Sequence, residues 1–133
     1  MTGIKLFDGM YGGLEQVLDL RSRQHALTAA NLSNADTPGY QAKEIDFDHL
    51  LRNVMERAID GTNPVSESEI EVEVRELPPW ARDGNSVDAE RETAKMASNT
   101  LMYNAVVTGI DHRLSMLRFA ASEWPSPNMS TQR

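Results

Sequence analysis

The groups in this 133-residue chain that could do chemistry are three histidines, twenty carboxylates and a scatter of hydroxyls; there is no cysteine. Catalysis needs such groups to converge. His25, His49 and His112 lie far apart along the chain, and no serine sits in a G-x-S-x-G elbow. Nothing in their order recommends a nucleophile, base and orienting acid. Asp46-Phe47-Asp48-His49 has the residue types of a metal site, since alternate residues of a strand share a face. Its plainer reading is a helix cap, because a carboxylate just before an apolar helical run accepts from the free N–H groups there. Asp111-His112 reads as a solvated or interface pair, and the methionines as core filling. The expectation is therefore no catalytic residue, cofactor, metal or small-molecule substrate, which leaves a scaffold or a binding module.

Charge narrows the partners. A net charge of −7, with thirteen Lys and Arg that form no run, argues against sequence-independent binding to nucleic acid. The first ten residues, MTGIKLFDGM, hold neither a continuous apolar stretch nor a small-residue cleavage site, so they do not read as a secretory signal, and no apolar run is long enough to span a membrane. A hydrophobic content of 40% with only 6% aromatic residues suits long helices better than a sandwich of sheets.

Two heptad rows bear that out as patterns. Leu6, Met10, Gly13, Val17, Leu20, Gln24, Leu27 and Asn31 alternate steps of four and three, which predicts a helix over about Leu14–Leu32. Gly12-Gly13 predicts a looser leader before it. The second row is stronger: Met96, Thr100, Tyr103, Val107, Ile110, Leu114, Leu117 and Ala121, with Met102, Val106, Gly109, Met116 and Ala120 beside it. The spacing predicts a helix from Ser86, as cap, to Ser122, closed by Trp124-Pro125. Its apolar face is wider than a two-stranded coil needs, so the helix is expected to touch more than one neighbour. Between the two, Phe47–Ile59 has helical spacing. Glu67–Leu77 alternates Ile70, Val72 and Val74 with acidic residues, as a strand does. Residues 125–133 read as a disordered tail.

The stretch ANLSNADTPGY, Ala30–Tyr40, is richer in polar and turn residues than a helix stop requires. Asn31, Ser33 and Asn34 can cap the carbonyl end of the first helix, with Asn34 in the left-handed conformation. Thr37-Pro38-Gly39-Tyr40 suits a type II turn, with Gly where φ must be positive. On physical grounds alone, a capped helix followed by a turn accounts for the stretch.

AANLSNADTPGYQAKEIDF also resembles the signature of the flagellar axial proteins, the rod and hook family, and DGNSVDAERETAKMASNTLMYNA, Asp83–Ala105, is similar to a block found in its proximal-rod members. Ser33 stands where Ala is common. The resemblance covers both terminal helices and the loop after the first, most of the chain outside Thr62–Arg82. It implies a mainly α fold in three parts, 1–47, 48–82 and 83–133. The terminal helices would pair as an antiparallel coiled coil around a partly extended middle segment containing a short helix and a β-strand. Packing would run through Val17, Leu20, Leu27, Met96, Tyr103, Val107, Ile110, Leu114 and Leu117. It further implies a structural subunit of the hollow rod, which transmits torque and conducts exported subunits. Asn31, Asn34, Thr37, Pro38, Gly39 and Tyr40 would lie at the subunit interface. Partners would be copies of itself, neighbouring rod proteins, the protein linking rod to membrane ring, and the export apparatus. Export would take place without a cleavable signal, through an element near Phe7 and Tyr11, to a periplasmic rod. A cytoplasmic helical adaptor is the alternative that the seams and acidic faces leave open.

Overall fold

A computed structural model describes residues 2–79 and 81–123, with side chains from residue 9 onward. Helix α1 spans Thr2–Ser33 and runs unbroken through Gly12-Gly13, where a looser leader was expected. The reason is a close approach. A Cβ at Gly13 would lie 2.7 Å from the Cβ of Ala58, and one at Gly9 would lie 2.8 Å from the Ala58 carbonyl oxygen. The glycines let a second helix press against α1, and that packing outweighs their poor intrinsic helix preference.

That second helix, α2, spans Phe47–Asp60. Asp46 caps it, accepting from the His49 N–H at 3.0 Å, and Gly61 ends it at φ 66°. The Asp-x-Asp-His run is thus a helix start, with Asp48 in the first turn. Its apolar face supplies Phe47, Leu50 and Val54, which form the core with Val17, Leu20 and Ile45; Leu27, Leu51, Val65, Ile70 and Val106 close its edges.

The strand expected over Glu67–Leu77 is mostly absent. Glu67–Glu69 is a 3-10 turn, and only Glu73–Val74, β2, pairs antiparallel with β1, Lys43–Glu44, in the register Lys43↔Val74 and Glu44↔Glu73. Two causes are visible. Ser66-x-x-Glu69 is a helix-start pattern, and the Ser66 N–H and hydroxyl both donate to the Glu69 carboxylate at 2.8 Å. A strand also needs a ladder, and β1 offers two residues. Ile70 is half-buried, while Val72 and Val74 stay more than half exposed.

Helix α3 spans Ala89–Ser122, roughly 50 Å at 1.5 Å per residue. Its cap is Asp88, which accepts from the Arg91 N–H at 3.1 Å, rather than Ser86. It lies antiparallel to α1: Glu92 meets Asn31, Asn99 meets Arg21, and Tyr103 flanks the same cleft as Ser22. Among the described residues the backbone of α3 lies against that of α1 and does not approach that of α2. The two residues that α3 buries are polar, Glu92 and Asn99. Of the expected packing positions, Val17 and Leu20 are buried, and Leu27, Met96, Val107 and Ile110 half-buried; Tyr103, Leu114 and Leu117 remain exposed in the single chain. On α3 Leu101, Met116 and Phe119 are at least 60% exposed. Trp124-Pro125, the tail and the Phe7 side chain lie outside the described residues.

Candidate functional site

The loop between α1 and β1 is built by two sequence blocks some fifty residues apart. The end of α1 closes first: the Asn34 N–H donates to the Asn31 carbonyl (3.0 Å) and the Ala35 N–H to that of Leu32 (3.2 Å). Asn34 does this without the left-handed conformation expected of it, since among the described residues only glycines have positive φ. Its side-chain amide donates instead to the Ala30 carbonyl at 2.8 Å, and its side-chain oxygen accepts from the Thr37 hydroxyl at 3.2 Å. Thr37–Tyr40 then forms the expected turn, with the Tyr40 N–H donating to the Thr37 carbonyl (3.2 Å) and Gly39 at φ 74°.

Asn31 is 1% exposed and uses its whole amide. Its Nδ2 donates to the Lys43 carbonyl (2.8 Å) and to the Glu92 carboxylate (3.0 Å), and its Oδ1 accepts from the Lys43 N–H (2.9 Å) and the Tyr40 hydroxyl (3.3 Å). The two bonds to Lys43 imitate the ladder that a neighbouring strand would supply, so β1 has Asn31 on one side and β2 on the other.

Asn85 holds the turn itself. Its Nδ2 lies 2.8–2.9 Å from the carbonyl oxygens of Asn34, Ala35 and Thr37, and its Oδ1 accepts from the Val87 N–H at 2.7 Å. Around it the Gly39 N–H donates to the Asp83 carbonyl (2.9 Å), the Ser86 N–H to the Tyr40 carbonyl (3.0 Å), and the Ala42 N–H to the Ser86 hydroxyl (2.8 Å). Gly84 passes so near Gly39 that a Cβ on it would lie 3.4 Å from the Gly39 Cα. In the sequence Ser86 read only as a cap, and Asn85 was marked only by its place in the block Asp83–Ala105. The signal was the D-G-N-S run, whose small polar residues exceed what a turn requires. Thr37, Pro38 and Gly39 are exposed on the outside of this assembly, Tyr40 and Asn34 are half-buried, and Asn31 is enclosed.

Below the loop lies an ionic cluster. Arg75, on the chain just after β2, donates from Nη2 to Glu44 (2.9 Å) and Glu92 (2.8 Å), while Lys95 reaches Glu44 at 2.8 Å. Glu92 is 1% exposed. The cluster ties β1, the β2 end and α3 to Asn31 of α1. Hydrogen bonding from Arg75, helped by Lys95 and opposed by partial burial, holds the Glu44 carboxyl at about 2, below its ordinary 4.5. Glu69, bonded by Arg57 and then Ser66, is likewise lowered to about 2. A carboxyl with a depressed folded pKa stabilises above its unfolded pKa, and that contribution is lost as pH falls through the folded one. Thermal melts are therefore expected to show falling stability from about pH 4.5 to about 2, with a shallower slope in Glu44→Gln and a nearly flat contribution from these groups in Glu44→Gln/Glu69→Gln.

At the other end of α1, the Tyr11 hydroxyl is buried without a hydrogen-bond partner among the described residues. Nearby, Met10, Leu14, Met55 and Ile59 line an apolar groove between α1 and α2. Among the described residues no helix is long and apolar enough to cross a membrane, and no group of three or more His, Asp or Glu could hold a metal ion.

Comparison with known proteins places these features. The family described as "Flagella basal body rod protein" matches residues 18–41, the second half of α1 and the loop that Asn31 and Asn85 hold. The chain is 36% identical to the flagellar basal body rod protein FlgB of Escherichia coli (strain K12) over 115 residues, covering 75% of this chain and 83% of that one. It is 34% identical to the protein of that name in Salmonella typhimurium, with the same coverage, and 28% identical to that of Aeromonas hydrophila over 84% of this chain and 91% of the relative. With that extent of shared sequence, and its matched segment forming the loop that both blocks build, the chain belongs to the FlgB family of flagellar basal body rod proteins, a structural component of the flagellar basal body and not an enzyme.

Proposed function

We propose that the chain is a subunit of the proximal rod, assembling through its terminal helices into a hollow shaft that transmits torque and conducts later subunits outward. The observation that carries this reading is the face of α3 that α1 leaves uncovered, with Leu101, Met116 and Phe119 at least 60% exposed along a 34-residue helix. Apolar surface of that extent on one chain is the kind that association covers. Contacts between unlike patches of successive copies build open tubes rather than closed dimers.

In this reading Thr37, Pro38, Gly39 and Tyr40 are presented to a neighbour, while Asn31 and Asn34 act from within by fixing the loop's shape. Tyr103, Leu114 and Leu117 complete their seam against other subunits. The neighbours are copies of itself, other rod proteins and the protein linking the rod to the membrane ring. The chain reaches a periplasmic rod unfolded, through the flagellar export apparatus and without a cleavable signal. The region of Phe7 and Tyr11 serves as its export element.

The test is a deletion strain. Hook–basal bodies purified from it are expected to lack rods under the electron microscope, and to regain them with a tagged copy whose label lies at the proximal end. Motile cells with normal rods would overturn the proposal and favour a cytoplasmic adaptor.

A further inference from the structure

The inner row of α3 runs Glu92, Asn99, Val106, Arg113 at heptad spacing, and the two members most deeply buried are the polar Glu92 and Asn99. Glu92 is accounted for by the ionic cluster. Asn99, 3% exposed, stands apart from it. Its Nδ2 donates to the Arg21 carbonyl at 2.8 Å, and its Oδ1 faces Arg21 Nη1 at 3.5 Å. The first of these contacts is not needed by α1. The Arg21 carbonyl lies in mid-helix, where the N–H four residues on already serves it. The Arg21 guanidinium also reaches Gln24 at 3.5 Å and stacks over the Phe47 ring, its carbon 3.8 Å from the centroid.

Asn99 nevertheless has a strong preference of its own. A buried amide without partners is costly, so any placement that moves it away from an available carbonyl is penalised. Such a penalty matters on this helix because apolar residues occur on several of its faces. Met96 and Ile110 lie toward α1, and Leu101, Met116 and Phe119 on the uncovered side. By hydrophobicity alone, α3 could turn or slide against α1 in several ways at similar energy. A single buried asparagine is a known means of choosing one register among apolar alternatives.

We propose that Asn99 is the register-determining residue of the α1–α3 pair: it selects the face and the heptad that α3 turns to α1, and so keeps the outer apolar row free for another helix. The first half of this statement rests on the fold alone; only the use of the outer row rests on the proposed rod assembly. A register test can therefore fail without touching that reading, and the reverse holds too.

The absence of native cysteine makes the test direct. Ser22 and Tyr103 flank one cleft. The pair Ser22→Cys/Tyr103→Cys is expected to close on mild oxidation of the dilute monomer, whereas Ser22→Cys/Met96→Cys and Ser22→Cys/Ile110→Cys, each a heptad away, are not. Adding Asn99→Leu is expected to raise the yield of at least one displaced pair several-fold while the thermal midpoint holds or rises. The native pair remaining the sole product would overturn the proposal, as would a lowered midpoint with unchanged pairing. If Asn99→Leu does not fold, Asn99→Ala is read in the same way. Failure of both to fold would also overturn it, since Asn99 would then be required for folding itself.

Discussion

Asn85→Asp will undock the loop from the start of α3 and lower the stability of the chain by about 3 kcal/mol or more, because it removes the donor that serves three carbonyls. The change keeps the side chain's size and its acceptor for the Val87 N–H, so lost packing cannot explain the loss. It substitutes an oxygen, charged at neutral pH, for the nitrogen that faces the oxygens of Asn34, Ala35 and Thr37. Repulsion adds to the missing hydrogen bonds. Urea titration reads the stability change, and amide exchange locates it. Protection is expected to fall first at Gly39, Ala42 and Ser86, whose N–H groups bond across the two blocks. Unchanged protection there, with a change of under about 1 kcal/mol, would show that the asparagine is dispensable to the loop.

Glu92→Ala carries the second large effect. Among the described residues it leaves Arg75 with only Glu44 as a carboxylate partner, at a site where its side chain is 11% exposed, and it removes an acceptor from Asn31. Removing one partner from a buried ion pair costs about 3–5 kcal/mol, mainly through the charge left behind. The double variant Arg75→Met/Glu92→Leu is expected to lose much less than the sum of its single changes, because it removes the uncompensated charge as well as the attraction. Equal additivity in a double-mutant cycle would mean that the two side chains do not depend on each other. The single variant should also melt α3 away from α1 before α2 is disturbed, since among the described residues the backbone of α2 lies against α1 and not against α3.

Much of this was legible in the residues, for physical reasons that differ by element. The 3.6-residue period marked all three helices, and the Pro-Gly turn was visible because only glycine suits its third position. The strand misled: alternation describes a chain with a partner ladder, and here Lys43–Glu44 gives it only two residues. The length of α1 was underread because Gly13 was weighed by intrinsic preference, when its lack of a side chain is what admits Ala58. The seam on α3 was sought among its most apolar positions, yet the residues facing α1 most deeply are Glu92 and Asn99. Asn85 and Arg75 escaped because their partners are set by the folded arrangement and leave no periodic trace in the sequence.

The loop's construction from distant blocks also fixes when it can form. Asn31 waits for Glu92, 61 residues later, and the carbonyls of Asn34, Ala35 and Thr37 wait for Asn85, about fifty residues later. Contacts of such sequence separation close late, after local helices have formed, because the chain between them must first surrender its freedom. A chain entering folding from its N-terminus can build α1, and α2 upon it, while the loop remains open. The loop is finished only when the start of α3 arrives, so its closed shape reports that the two blocks have met.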